Sequence, residues 1–153
     1  MAHPGWPYSA ALTPVMQSSV TELPYNRLLG LEPAPVSAAV QLPAGPQYLN
    51  HLGTVHAGAL LSLAEAASGE FLLTHFSGGA GLIPVVRRME AKFRKPASGR
   101  VTAAASVSPE ALAQLEADLA TRGRALVCIP VQVHDESGTL ALTAEVEWFI
   151  QKA

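Results

Sequence analysis

An acidic side chain inside an apolar stretch is the first feature of this sequence that could do chemistry. Residues 50–76 read NHLGTVHAGALLSLAEAASGEFLLTHF, and Glu65 lies there among leucines and alanines. A carboxylate is costly to bury unless it is paired or used. In a helix, Ser62 and Ser68 would share one stripe with it. Glu65 is therefore our candidate for a catalytic or substrate-binding acid. The alternative is a buried acid that Ser62, Ser68 or an arginine satisfies.

The polar segment just before this stretch could supply hydrogen-bond donors. It carries His51, Gly53 and His56, and it leads into a helix start, where the first backbone N–H groups have no partner within the helix. Two roles stay open for His56, a hydrogen bond that fixes the turn or a contact in the site. We expect His51 to be structural or exposed.

The elements that position these residues follow from periodicity and from helix breakers. Residues 55–76 predict a helix of about 22 residues, roughly 33 Å long, that is apolar on nearly every side and so calls for burial. Further helices are predicted at 13–29, interrupted by Pro24, and at 109–121. Strands are predicted at 36–42, 82–94, 100–107, 124–134 and 139–150, and Cys128 is expected in the core of one of them.

This order predicts an α+β fold, in which a curved antiparallel sheet of about five strands wraps a long central helix. An N-terminal helix and a short inserted helix complete it. We expect a single domain over residues 15–153, preceded by a flexible tail over residues 1–14, which hold three of the twelve prolines. A helix that is apolar all round needs cover on its second side, which favours a homo-oligomer, either a dimer or a dimer of dimers.

Composition narrows the class of protein. Charged residues make up 14% and apolar residues 49% of the 153 positions, and the net charge is −2. This balance gives no reason to expect nucleic acid or a membrane as a partner. One cysteine and no signal-peptide pattern favour a cytoplasmic protein. No spacing of His, Cys or acidic residues suggests a metal site, and no cofactor is expected.

The residues around Glu65 resemble the hotdog-fold acyl-CoA thioesterases of the phenylacetate-pathway type, and the resemblance covers residues 23–150. In that family an Asn precedes a G-x-x-H-G-G turn, and a catalytic Asp or Glu follows nine residues after the His. The same spacing here runs through Asn50, Gly53, His56, Ala57, Gly58 and Glu65. The next strand of the family closes with an aromatic residue and a proline turn, as Phe93 and residues 96–99 do here.

The resemblance implies a role for each matched residue. Glu65 would activate water or attack the thioester carbonyl, and the Ala57 N–H would hold the thioester oxygen as it becomes negative. Asn50 would orient the water or the substrate, while His56 and Gly58 would form the turn beside the thioester. The resemblance also implies a dimer in which Glu65 faces the helix N-terminus of the second subunit. Coenzyme A would enter only as part of the acyl-CoA substrate.

Three positions depart from the family pattern. Ala57 replaces a glycine, Val86 replaces a Ser or Thr, and Arg87 stands where an apolar residue is usual. If Arg87 faced inward, it could pair with Glu65 or bind an acidic acyl tail. A basic edge near the end of this strand could bind the phosphates of coenzyme A, or it could be an ordinary solvated face. The predicted substrate-binding residues are Arg87, Val86, Ser62, Ser68, Arg94 and Lys95.

The favoured function is hydrolysis of a small or medium acyl-CoA thioester. The first alternative is a non-catalytic hotdog protein that binds an acyl group or acyl-CoA. The second is a dehydratase or hydratase of 3-hydroxyacyl thioesters, since His51 lies fourteen residues before Glu65, a spacing that some dehydratases show. Their proline-rich loop between the two residues is missing here, which makes this alternative the weakest.

Overall fold

The computed structural model describes residues 18–36, 39–76 and 81–153. The expected tail at 1–14 and the first part of the expected helix at 13–29 lie outside these ranges. Short 3-10 turns occur at Val20–Glu22 and Pro46–Tyr48. The other elements are α1 Pro24–Leu29, β1 Glu32–Pro33, β2 Ala39–Leu42, α2 Ala57–His75, β3 Leu82–Phe93, β4 Val101–Ala105, α3 Pro109–Arg122, β5 Arg124–Asp135 and β6 Leu140–Lys152.

Within the described ranges the strands form one antiparallel sheet of six, in the order β1-β2-β4-β5-β6-β3. The central helix α2 packs chiefly on β2, β4, β5 and β6, so β3 lies at the sheet edge beyond the helix. The predicted α+β arrangement, a long helix against a wrapping antiparallel sheet, is confirmed. The sheet has one strand more than predicted. The additional strand is β1, which the sequence does not reveal because it is only two residues long and shows no alternation.

Helix boundaries follow the capping chemistry of the sequence. The inserted helix is confirmed as α3, where the Ser108 hydroxyl accepts from the Ala111 N–H and Gly123 ends the helix at φ 68°. Pro24, predicted to interrupt a helix, instead begins α1, because the first helical position needs no N–H. The central helix begins at Ala57, two residues later than predicted, because His56 is its N-cap.

The core lies between α2 and the inner face of the sheet. Strand β5 alternates strictly, so that every second side chain is buried: Ala125, Val127, Ile129, Val131 and Val133. The prediction that Cys128 lies in the core is wrong, since it falls in the exposed set of the same strand. Its apolar neighbours suggested a strand covered on both faces, whereas α2 covers only one.

Helix α2 is not covered on all sides within one chain. Leu63, Ala64 and Ala67 are fully buried against the sheet. Another line of side chains, at the i, i+3, i+4, i+7 spacing of one helix face, stays exposed or half-buried. We call this line the open stripe; it consists of Gly58, Leu61, Ser62 and Glu65.

Leu63→Ala tests the packing of α2 on the sheet. Leu63 has no exposed surface, and truncation of a buried leucine leaves a cavity, so we expect a loss of about 2–5 kcal/mol in the free energy of unfolding. Urea unfolding would show this loss as a lower midpoint. Leu28, which is 86% exposed on α1, is the matched control, and Leu28→Ala should change stability by less than about 0.5 kcal/mol. Equal midpoints for the two variants would contradict the packing described here.

Candidate functional site

Asn50 organises the turn that leads into α2. Its Oδ1 accepts hydrogen bonds from the N–H groups of Leu52 at 2.9 Å and Thr54 at 3.2 Å. Its Nδ2 donates to the Thr54 hydroxyl at 2.9 Å. An Asn side chain that bonds its own backbone a few residues on is typical of turns. Within one chain, then, Asn50 holds the loop in shape rather than presenting both polar atoms to a ligand.

His56 caps the helix, and Ala57 keeps a donor free. The Nδ1 atom of His56 accepts from the Gly58 N–H at 2.9 Å, which leaves the ring proton on Nε2 at the exposed side of the turn. Of the two roles considered for His56, the structure therefore shows the hydrogen bond that fixes the turn. No acceptor for the Ala57 N–H exists in the part of the chain that the structure describes. This exposed donor lies at the positive end of the α2 dipole, where a developing anion would be stabilised.

Glu65 lies half-buried on the open stripe. Burial raises the pKa of its carboxyl above the ordinary value, because desolvation disfavours the charged form. Among the described residues, no side chain or backbone group is hydrogen-bonded or ion-paired to this carboxylate. The alternative of a buried acid satisfied by neighbours is thus not met within one chain.

The hydroxyls of the two serines on the predicted stripe bond to groups other than the Glu65 carboxylate. Ser68 is fully buried, where its hydroxyl donates to the backbone oxygen of Glu65 at 2.6 Å and accepts from the Trp148 indole N–H at 2.9 Å. We therefore assign Ser68 to the core and leave it out of the proposed site. Ser62 shares a 3.0 Å hydrogen bond with the Tyr25 hydroxyl of α1.

Glu70 is the second acid of α2, and it is paired. Its Oε2 accepts from the Val20 N–H at 2.8 Å and from the Ser19 hydroxyl at 3.0 Å, which ties the segment before α1 to the central helix. Sequence reasoning assigned no role to Glu70 or to Tyr25. No local signal could have found them, because their partners are fifty and thirty-seven residues away.

Strand β3 carries a bulge at Arg87. Val86 pairs with Trp148 and Arg88 with Glu147, so Arg87 is the additional residue between them. It is exposed and has no ion pair in the described ranges. The expectation that Arg87 faces inward and pairs with Glu65 is wrong for a single chain, because the bulge breaks the period of two on which it rested.

The last two predicted substrate-binding residues lie beside β3 and not on α2. Arg94 and Lys95 follow the end of β3 and are exposed, and Arg94 Nε donates to the Thr143 hydroxyl at 3.1 Å.

Ala57 and Glu65 themselves are eight residues apart on one helix, or about 12 Å along its axis. A single thioester carbonyl could not touch both groups of the same chain, since reacting atoms must come within about 3–3.5 Å.

Neither a candidate metal-binding cluster nor a candidate membrane helix occurs among the described residues. No three His, Cys, Asp or Glu side chains in ranges 18–36, 39–76 and 81–153 are grouped so that they could hold a metal ion. None of the described helices has the length and apolar content of a membrane span.

The raised pKa of Glu65 predicts a pH-dependent stability. A carboxyl whose pKa is higher in the folded state binds more protons there than in the unfolded state, so its contribution to stability is present at low pH and is lost as pH rises. Glu65→Gln removes the desolvated charge. We expect this variant to be more stable than the wild type at pH 7, with the difference vanishing below about pH 4.3, the ordinary glutamate pKa. Urea unfolding midpoints of the two proteins, measured at one protein concentration, would show this difference. The same difference in stability at pH 7 and below about pH 4.3 would contradict the prediction.

The fold places the chain among hotdog proteins, and comparisons with known proteins give its family. Residues 24–150 match the family described as a domain of unknown function, DUF4442, and the chain belongs to this family. No curated protein matches it.

Solved structures share the fold, among them those of proteins from Pseudomonas aeruginosa, Bacillus halodurans and Haemophilus influenzae. A Pseudomonas aeruginosa protein of unknown function, named a probable thioesterase, is 30% identical, with 88% of this chain and 91% of that chain covered and a TM-score of 0.75. A Bacillus halodurans protein crystallised with CoA is 21% identical, with coverages of 80% and 72% and a TM-score of 0.63. A Haemophilus influenzae thioesterase is 16% identical, with coverages of 87% and 86% and a TM-score of 0.63.

Proposed function

We propose that this protein is a thioesterase that hydrolyses a small or medium acyl-CoA, of the phenylacetate-pathway type that its motif resembles. The observation that carries the proposal is the half-buried Glu65 carboxylate, which has a raised pKa and no partner within the described chain. A group held in this state at a cost to stability is typical of a functional site. The probable thioesterase from Pseudomonas aeruginosa, with 30% identity, and the CoA complex of the Bacillus halodurans protein support the substrate class.

The chemistry would run between Glu65 and the helix start. The Glu65 carboxylate takes a proton from water as the water oxygen attacks the thioester carbonyl carbon, and the raised pKa makes it a stronger base than an ordinary carboxylate. The Ala57 N–H donates to the carbonyl oxygen as that oxygen becomes negative. The C–S bond then breaks, and the thiolate leaves with a proton to give free CoA and a carboxylic acid. In the nucleophilic variant, the carboxylate attacks the carbonyl and displaces the CoA thiolate, and water then hydrolyses the resulting anhydride to release the acid and restore the Glu65 carboxylate.

The site would be shared between two copies of the chain. The axial separation of about 12 Å between Ala57 and Glu65 keeps them from acting on one carbonyl in one chain. In a two-fold dimer the open stripe would be covered by a second copy, and each Glu65 would face the N-terminus of the other copy's α2. We propose a homodimer, or a dimer of dimers, on this ground.

The bulge and the end of β3 would bind the rest of the substrate. The Arg87 guanidinium, which has no ion pair among the described residues, would bind an acidic group, and Val86, half-buried beside it, would contact the acyl group. Arg94 and Lys95 are exposed, and their charges suit the phosphates of coenzyme A. Ser62 belongs to the open stripe and would lie beside the acyl group.

Thiol release from a panel of acyl-CoAs, from short aliphatic to aromatic to long-chain, tests the proposal directly. We expect turnover of at least one small or medium substrate and weak turnover of long chains, together with a dimer or tetramer in light scattering. Folded wild-type protein that releases thiol from no substrate would contradict the proposal and favour the non-catalytic acyl-binding function. The departures Ala57 and Val86 would then gain an explanation, because the family's glycine and Ser or Thr are missing there.

A further inference from the structure

Tyr25 is joined to the open stripe by a contact that the proposed catalytic chemistry does not use. Its hydroxyl shares a 3.0 Å hydrogen bond with Ser62, thirty-seven residues away. The Tyr25 side chain is nevertheless 60% exposed. A large aromatic ring is thus fixed at its polar tip while much of its surface stays uncovered.

The contact lies next to Glu65. Residues three apart on a helix are surface neighbours, roughly 5–6 Å between their Cβ atoms. Side chains on a helix also lean toward its N-terminus, so the Glu65 carboxylate leans toward the turn that carries Ser62. The Tyr25 hydroxyl is therefore bonded one helical turn before the residue that carries the carboxylate.

Tyr25 is not what holds α1 in place. The buried Asn26 donates from Nδ2 to the Val20 carbonyl at 2.9 Å, and Tyr48 donates from its hydroxyl to the Leu29 carbonyl at 2.6 Å. These two bonds, one buried and one partly buried, anchor the middle and the C-terminal end of the six-residue helix. A single bond between exposed groups, such as that of Tyr25 with Ser62, adds little stability to them.

We propose that Tyr25 is a specificity-determining residue, whose ring forms one wall of the acyl subsite beside Glu65 and limits the size of the acyl group. Ser62 is the positioning residue that fixes the ring. The inference rests on the proposed function for the identity of the ligand, the acyl chain of a thioester. Loss of the ring should enlarge the subsite, and loss of the hydrogen bond should loosen its wall.

Binding of non-hydrolysable S-alkyl-CoA thioethers, a short butyl and a long decyl one, separates this inference from catalysis. Calorimetric titration gives the ratio of the two dissociation constants for wild type, Tyr25→Ala, Tyr25→Phe and Ser62→Ala. We expect Tyr25→Ala to shift the ratio toward the decyl compound by about tenfold or more, the scale at which apolar pockets discriminate chain size. Tyr25→Phe and Ser62→Ala should give smaller shifts of equal size, because each removes only the hydrogen bond.

The binding experiment has a matched control on the same helix. Leu28→Ala removes another exposed side chain of α1 and should leave the ratio unchanged.

An unchanged ratio in Tyr25→Ala would overturn the inference even if the wild type hydrolyses thioesters. A shifted ratio of the two dissociation constants without any hydrolysis would support the inference and contradict the thioesterase proposal. Wild type that binds neither thioether would overturn both, and a Tyr25→Ala protein that loses its oligomeric state in light scattering would make the ring an interface contact instead.

Discussion

Glu65→Gln should lower kcat for thioester hydrolysis by about 10²–10⁴-fold while the protein stays folded. Glutamine keeps the size and the polarity of the side chain but can neither accept a proton from water nor attack a carbonyl. The side chain has no partner within the described chain, so nothing else is lost with the charge. Thiol release under saturating substrate, with circular dichroism to confirm the fold, gives the comparison.

Glu70→Gln is the matched control on the same helix. Its carboxylate accepts two hydrogen bonds, from Val20 and Ser19, and bonds to a charged group contribute about 1.5–3 kcal/mol each when they form fully. Since Ser19 and Glu70 are only half-buried, we expect a loss of about 1–2 kcal/mol in stability and a kcat close to that of the wild type. The two variants should therefore separate activity from stability. Wild-type turnover by Glu65→Gln would show that Glu65 is not the catalytic acid.

Ala57→Pro should lower kcat by about 10²–10³-fold, the effect of removing one oxyanion donor. Proline deletes the N–H that is proposed to hold the thioester oxygen. The fold should tolerate it, because Ala57 is the first residue of α2, where proline is favoured. The preceding residue also fits, since His56 is extended at φ −63° and ψ 139°, as a residue before proline should be.

Ala57→Gly separates the donor from the side chain. It keeps the N–H and restores the glycine of the family that the motif resembles, so we expect kcat at or above the wild-type value. If Ala57→Pro also kept full activity in a folded protein, the oxyanion donor would have to be sought elsewhere.

Mixing the two inactive variants tests whether the site is shared. A dimer of one Glu65→Gln chain and one Ala57→Pro chain would hold one site with both groups intact, formed by the Glu65 of one copy and the Ala57 N–H of the other. Refolding an equal mixture should restore about a quarter of the wild-type activity, since half of the dimers are mixed and each has one of two sites. No restoration would place both groups in one chain and contradict the shared site.

The elements with strong local signals were predictable from the sequence. The central helix was found from its apolar run, and α3 from Ser108, Pro109 and Gly123, because caps act within one turn of the chain. The antiparallel α+β arrangement followed from the order of these elements. The sequence also indicates Glu65, as an acid within an apolar helix, whereas the Ala57 N–H follows only from the resemblance of the entry turn, because the predicted helix start lies two residues too early.

The positions that were missed depend on contacts between distant segments. The bulge at Arg87 arises where β3 pairs with β6, and no local pattern records it. The exposure of Cys128 depends on which face of the sheet α2 covers. The partners of Glu70 and Tyr25 come from segments far along the chain. The sequence by itself therefore determined the helices, the strands and the acid, because those signals are local. Only the tertiary structure decided which acid is paired, which face is open and which tyrosine bonds to Ser62, because these follow from packing across the fold.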